Sequence, residues 1–193
     1  MGTLSITEEN NCKIALWEIT ETLQELLQLY HTISVPEFNT EKRKEEWLAT
    51  RLLLNKINPN YSISYNEFGA PELNNECNIS ISHSKGLVAI SISKQQVGLD
   101  IEEISDKVLR VSSKFISKNN LTDLTAEKAT LIWSCKEAIY KWHQKGKIDF
   151  IADIKLQSFL IEEKGEIKAQ FKNNPLTLFY TKINSHFLVY VCN

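Results

Sequence analysis

The chain has 193 residues with 42% apolar, 9% aromatic and 24% charged content, which is enough for one ordinary globular domain or two very small ones. Six Gly and four Pro are too few for a collagen-like, linker-like or low-complexity chain. A formal charge of -2 argues against a protein that lives on nucleic-acid phosphates, so any anion site must be local.

Cys12, Cys77, Cys135 and Cys192 form no Cys-x-x-Cys pair and no metal-knuckle spacing, so they read as reduced thiols. Met1 to Asn10 carries no basic leader or apolar run, and no apolar stretch is long enough to span a bilayer. The expectation is a cytoplasmic protein with no membrane and no nucleic-acid partner.

In chain order, Lys13 to Ile19 reads as a first strand, and Thr20 caps a helix to about Tyr30. A long helix capped by Thr40 runs to about Ile57 and stops at Asn58-Pro59. A short strand follows near Tyr61 to Tyr65, then a turn through Asn66 to Pro71. Asn78 to Ser82 and Leu87 to Ser93 alternate with period two around Ser84-Lys85-Gly86, a hairpin signal. Val97 to Ile101 is a further strand, and Ser105 or Asp106 starts a helix. Helical turns run from Leu121 to His143, ended by Gly146. Strands fill Lys155 to Cys192, with Lys164-Gly165 read as a turn. The order is helix-then-strands twice, with the change near Gly98, so the fold expected is α+β and internally duplicated.

Two stretches carry chemistry. In Gly98-Leu99-Asp100-Ile101-Glu102, a strand puts both carboxylates on one face and the two apolar side chains on the other. Paired carboxylates repel unless a cation sits between them, and oxygen-only donors favour magnesium or manganese. In Trp133 to Lys141, helical spacing puts Ile132, Cys135, Ile139 and Trp142 on one side. Trp133, Glu137 and Lys141 form a separate stripe at i, i+4 and i+8.

Gly98 to Glu102 resembles the Gly-Val-Asp-Ile-Glu motif of the 4'-phosphopantetheinyl transferases. Trp133 to Lys141 resembles that superfamily's Trp-x-x-Lys-Glu-Ala-x-x-Lys motif at every fixed position, and the spacing of about 35 residues also fits. Asn78 to Ser84 looks like a third motif, and Arg43 to Leu54 is similar to the family's basic N-terminal helix. The likeness spans about residues 13 to 150, and the length suits the Sfp-like, pseudo-dimeric branch. The resemblance implies two similar α+β halves, 1–97 and 98–193, with antiparallel sheets and packed helices related by a pseudo-twofold axis.

The resemblance also implies an activity: transfer of phosphopantetheine from coenzyme A to a serine hydroxyl of an apo acyl or peptidyl carrier protein, releasing 3',5'-ADP. Asp100, Glu102 and Glu137 match the metal ligands, for Mg2+ or Mn2+. Glu137 or a metal-bound water is the candidate base, and Lys141 matches the lysine on the diphosphate. His83 and Ser82 match residues on the coenzyme A phosphates, His83 being counted with the catalytic set. Arg51 and Arg43, eight apart and so within about 80° on one helix face, match the site of the 3'-phosphate, where a planar donor fork suits phosphate.

Three positions depart from the pattern. Leu99 replaces a valine. Ala70, in Phe68-Gly69-Ala70-Pro71, removes a cation expected near the nucleotide. Asn119-Asn120 stands where relatives often have an acid. The alternative reading is a non-catalytic binder of coenzyme A or carrier protein, toward which Ala70 alone leans. A metal-dependent phosphoesterase fits the acids but not the Ser-His-Ser and Trp-Lys-Glu contexts.

Carrier proteins of this kind are acidic. Lys107, Arg110, Lys114 and Lys118 fall at i, i+3, i+7 and i+11 on the helix expected after the acidic strand, beside Ile104, Val108, Val111 and Phe115. A basic ridge next to an apolar stripe is a docking expectation. A duplicated chain would need no partner copy, so a monomer is expected.

Overall fold

The computed structural model describes residues 2–30, 35–117 and 124–193. The expectations for Lys118, Asn119-Asn120 and the helical start at Leu121 lie outside the described residues.

The chain opens with a hairpin, β1 (Leu4–Glu9) and β2 (Cys12–Glu18), closed by Asn10 and Asn11 at φ 50° and 59°. Asparagine tolerates the positive φ that a two-residue hairpin turn demands. The sequence reading placed only the second of these strands. The first helix, α1 (Leu23–Leu29), starts at Thr22 rather than Thr20, because Thr22 and Glu25 form a reciprocal capping box.

Helix α2 (Glu41–Ile57) is capped by the Thr40 side chain as expected. It buries Leu48, Ala49, Leu53 and Leu54 and leaves Arg43, Glu46, Trp47 and Arg51 on its other side. Strands β3 (Ile63–Tyr65) and β4 (Pro71–Leu73) flank the loop through Phe68. Then come β5 (Asn78–Ser84) and β6 (Leu87–Ser93), joined by Lys85-Gly86 at φ 41° and 84°. The strand order of this sheet is β1-β2-β6-β5-β4-β3.

The chain crosses to a second sheet at β7 (Val97–Glu103). The segment Asp106–Lys114 that follows is a 3-10 helix, not the α-helix expected. Helix α3 (Ala126–His143) has Thr125 as its N-cap and ends at Gln144, in the left-handed region at φ 60°. After it come β8 (Ile154–Leu156), β9 (Lys164–Phe171), β10 (Asn174–Ile183) and β11 (His186–Cys192).

Lys164 and Gly165 are strand residues paired with Thr181 and Tyr180, not a turn. The strand expected from Lys155 stops at Leu156. Beyond it the Glu162 amide bonds the Tyr180 hydroxyl, which itself donates to the Leu160 carbonyl. That crossover over a tyrosine replaces strand pairing.

The second sheet runs β7-β11-β10-β9-β8, and every strand pair in both sheets is antiparallel. The α+β class is as expected, with two antiparallel sheets and packed helices. The central order β2-β6-β5 is repeated as β7-β11-β10, with the helices between first and second strands in both. One core lies between α1, α2 and the first sheet, and another between α3 and the second. A third, built on Cys12, Ile14, Ala89, Leu99, Ile101 and Leu188, joins the sheets.

Candidate active site

β7 carries the acids to the centre. Its apolar residues Leu99 and Ile101 are fully buried in the core between the sheets. Alternation therefore turns Asp100 and Glu102 the other way, toward α3. The helix comes close because residue 98 is glycine: a Cβ there would lie 2.0 Å from the Ala138 carbonyl oxygen and 2.5 Å from the Trp142 nitrogen. No side chain fits at that distance. The approach sets the Trp133–Glu137–Lys141 stripe over the two acids.

Ile81, Ser82, His83, Asp100, Glu102, Trp133, Glu137 and Lys141 line one cavity of about 350 Å³. The residues read from three separate motifs are thus brought together. Asp100 is 2% exposed. Its Oδ1 accepts from the Lys141 ammonium at 2.8 Å and from the Ser82 hydroxyl at 3.0 Å, and its buried Oδ2 has no partner. Burial, then the Asp100 charge, pushes the Glu102 carboxyl up to about 7, against a 3.3 Å bond from the Trp133 indole N–H. Glu137 is also pushed to about 7, by burial first and then by Asp100, with Glu102 adding and Lys141 opposing.

Three carboxylates sharing a half-buried space, with an unpartnered oxygen among them, fit a hard divalent cation. Among the described residues, no group of three or more His, Cys, Asp and Glu side chains is already placed to hold a metal ion. The donor set fits such an ion in chemistry, and the Lys141 ammonium stands on Asp100 within it.

A second cavity of about 470 Å³ adjoins the first, and His83 and Lys141 line both. Its walls come from α2, from the loop at Phe68 and from the end of α3. Arg43 and Arg51 line it as expected. The Arg51 guanidinium lies 3.8 Å from the Trp47 ring centroid and bonds the Tyr65 hydroxyl at 3.4 Å. Stacking holds the fork facing the cavity. Ala70 brings no cation here, but Tyr65 and Phe68 beside it are 54% and 51% exposed. His83 sits 3.3 Å from Glu46, and burial holds its ring below the ordinary histidine value despite that carboxylate.

Several residues were missed by the sequence reading. Glu46 and Trp47 lie three and four residues after Arg43 and so share its helix face, which spacing alone could have shown. Lys136, inside the second motif, does not join the site. Its ammonium is buried and donates to the Phe150 and Ile154 carbonyls, tying α3 to the following loop.

An α+β chain with duplicated sheets and acids from β7 and α3 at one cavity describes a class before it describes a protein. The sequence profile of the 4'-phosphopantetheinyl transferase superfamily matches residues 96–189. Over that stretch, just under half of its length, the chain is similar to that superfamily. It is 29% identical over 147 residues to the 4'-phosphopantetheinyl transferase gsp of Aneurinibacillus migulanus, covering 69% of this chain and 60% of that one. It is 30% identical over 92 residues to the 4'-phosphopantetheinyl transferase Sfp of Bacillus subtilis (strain 168), covering 43% and 41%. The matches thus span less than two thirds of either relative's length.

Proposed function

We propose that the protein is a 4'-phosphopantetheinyl transferase. It moves phosphopantetheine from coenzyme A to a serine hydroxyl of an apo acyl or peptidyl carrier protein, and 3',5'-ADP leaves. The observation that carries this reading is the meeting of two unlike cavities. One is acidic, with Asp100, Glu102 and Glu137, and the other holds Arg43, Arg51 and aromatic surface.

The nucleotide with its 3'-phosphate belongs with the arginines, mainly Arg51, and the diphosphate with His83 and Lys141 where the cavities join. The serine oxygen attacks the phosphorus next to pantetheine, and the bond to the nucleotide phosphate breaks. Asp100, Glu102 and Glu137 would hold Mg2+ or Mn2+, which when bound neutralises the diphosphate. Glu137, whose carboxyl burial and Asp100 push up to about 7, or a water on the ion would accept the serine proton. Lys141, one helical turn on, offsets charge on the departing 3',5'-ADP. Residues 1–97 supply most nucleotide contacts and 98–193 the acids, so a monomer suffices; the cytoplasm is the fitting compartment.

The carrier would approach over a third cavity, about 710 Å³, between the start of α2 and the 3-10 helix, where Lys85, Lys107, Val108, Val111 and Trp133 line the path to Glu102. Three residues per turn put Lys107 and Arg110 in one row and turn Lys114 away from them. Phe115 of the expected stripe is buried against Trp133, leaving Val111 as the exposed apolar residue.

The test is an intact-mass measurement on an apo carrier incubated with the protein, coenzyme A and magnesium. The expected result is a gain of one phosphopantetheine, lost in Asp100→Ala and Glu137→Ala. A protein that binds coenzyme A and leaves every carrier unmodified would be the non-catalytic binder instead.

A further inference from the structure

β5 and β7 belong to different sheets, yet they run in the same direction side by side. β11 pairs with one edge of β7. On the other side, alternate amides of β7 go to serine hydroxyls of β5. The Leu99 amide donates to Ser80 Oγ at 2.9 Å, Ile101 to Ser82 Oγ at 3.2 Å and Glu103 to Ser84 Oγ at 3.2 Å. The serines are two apart and so are the amides, so a matched period-two ladder of side chains replaces a main-chain ladder.

Such a match fixes register. A slip of one residue would send Asp100 and Glu102 to the apolar face and Leu99 and Ile101 to the cavity. Ser82 does more than its neighbours. Its hydroxyl accepts from the Ile101 amide and from Lys141 at 2.9 Å, and donates to Asp100 Oδ1 at 3.0 Å. One donor and two lone pairs are then all engaged, and the residue is 6% exposed. A phosphate oxygen could be bonded only by breaking one of these bonds.

We propose that Ser80, Ser82 and Ser84 are positioning residues for the transfer, with Ser82 aiming Asp100 and Lys141 rather than gripping coenzyme A. The proposal rests on the transferase reading and deepens it. It reassigns Ser82 from the coenzyme A contact that the family resemblance implies. Ser80 and Ser84 hold the strand, and Ser82 holds both the strand and the charged pair.

The test compares Ser82→Ala, Ser82→Thr and Ser80→Ala with the parent protein. Three quantities are read: kcat, KM for coenzyme A, and Mn2+ affinity by electron paramagnetic resonance without substrates. Losing a hydrogen bond to a charged group should lower kcat in Ser82→Ala by roughly tenfold or more. Mn2+ affinity should fall several-fold and KM for coenzyme A should stay within about twofold. Ser82→Thr, which keeps the hydroxyl, should recover most of both losses. Ser80→Ala should lower the melting temperature with a smaller effect on Mn2+ affinity.

A raised KM for coenzyme A with kcat and Mn2+ affinity unchanged would overturn the proposal and make Ser82 a substrate contact. A lower melting temperature as the sole change in Ser82→Ala would overturn it too. Should Ser82→Ala not fold, Ser82→Cys, of similar size and weak donor strength, carries the same comparison. A parent protein that binds no Mn2+ and modifies no carrier would instead defeat the transferase reading itself.

Discussion

At the residue scale, the raised carboxyls of Glu102 and Glu137 contribute to how the protein responds to pH. Glu102 and Glu137 titrate near 7, above the ordinary 4.5. Between those values the folded chain keeps protons that the unfolded chain releases. The stability these groups contribute is therefore present below about pH 4.5 and lost as pH rises through 7. In a chelating buffer, the melting temperature should fall by several degrees from pH 5.5 to 8. Glu137→Gln should flatten that slope, and millimolar Mg2+ or Mn2+ should restore the parent more at pH 8 than at pH 5.5. Scanning fluorimetry measures all three, and a slope unaltered by the substitution would contradict the assignment.

Much of this site was legible in residue spacing. Asp100 and Glu102 had to share a face once their segment was a strand, and Glu137 and Lys141 once theirs was a helix. That Lys141 bonds Asp100, or that Ser82 spends its hydroxyl within the protein, depends on distances between elements that no local pattern encodes.

At the element scale, the decisive contact is helix α3 on strand β7. Gly98 is the point where the helix backbone enters the space a side chain would fill. Gly98→Ala should cost about 2 kcal/mol or more through forced displacement of backbone. It should also abolish most turnover, because Glu137 and Lys141 would move off Asp100. Denaturant unfolding and carrier modification measure the two effects, and an active, fully stable Gly98→Ala would refute this account.

Hydrophobic periodicity located α2, α3, β5 and β6 well, although β6 is buried on both faces. It failed at β1, whose residues are mostly exposed and carry little alternation. It failed again at 106–114, where an apolar-basic pattern compatible with an α-helix is wound with three residues per turn. The stop of β8 at Leu156 could not be foreseen, because a tyrosine two strands away takes over the hydrogen bonds.

At the scale of the whole molecule, the duplicated layout was visible in element order, but the way the sheets join was not. The protein is not basic overall, so recognition of the acidic carrier proposed above would come from a restricted surface. Lys107→Glu with Arg110→Glu should raise KM for the carrier about tenfold and leave KM for coenzyme A unchanged. The effect should shrink as salt rises. Equal losses for both substrates would place these residues outside the docking surface.

The core between the sheets also holds a pair of thiols. Cys12 is fully buried, while Cys192 at its rim lies 3.2 Å from Ser93 Oγ. A hydrogen bond from Cys12, with help from Ser93 and against burial, lowers Cys192 to about 6, while Cys12 is raised by the same bond. Cys192, half-buried and held below the ordinary cysteine value, should take the first equivalent of an alkylating reagent ahead of the buried Cys12 and Cys135. A dye attached there would sit where the two sheets meet, away from the reacting groups. It would give an optical readout of whether the halves part during a catalytic cycle.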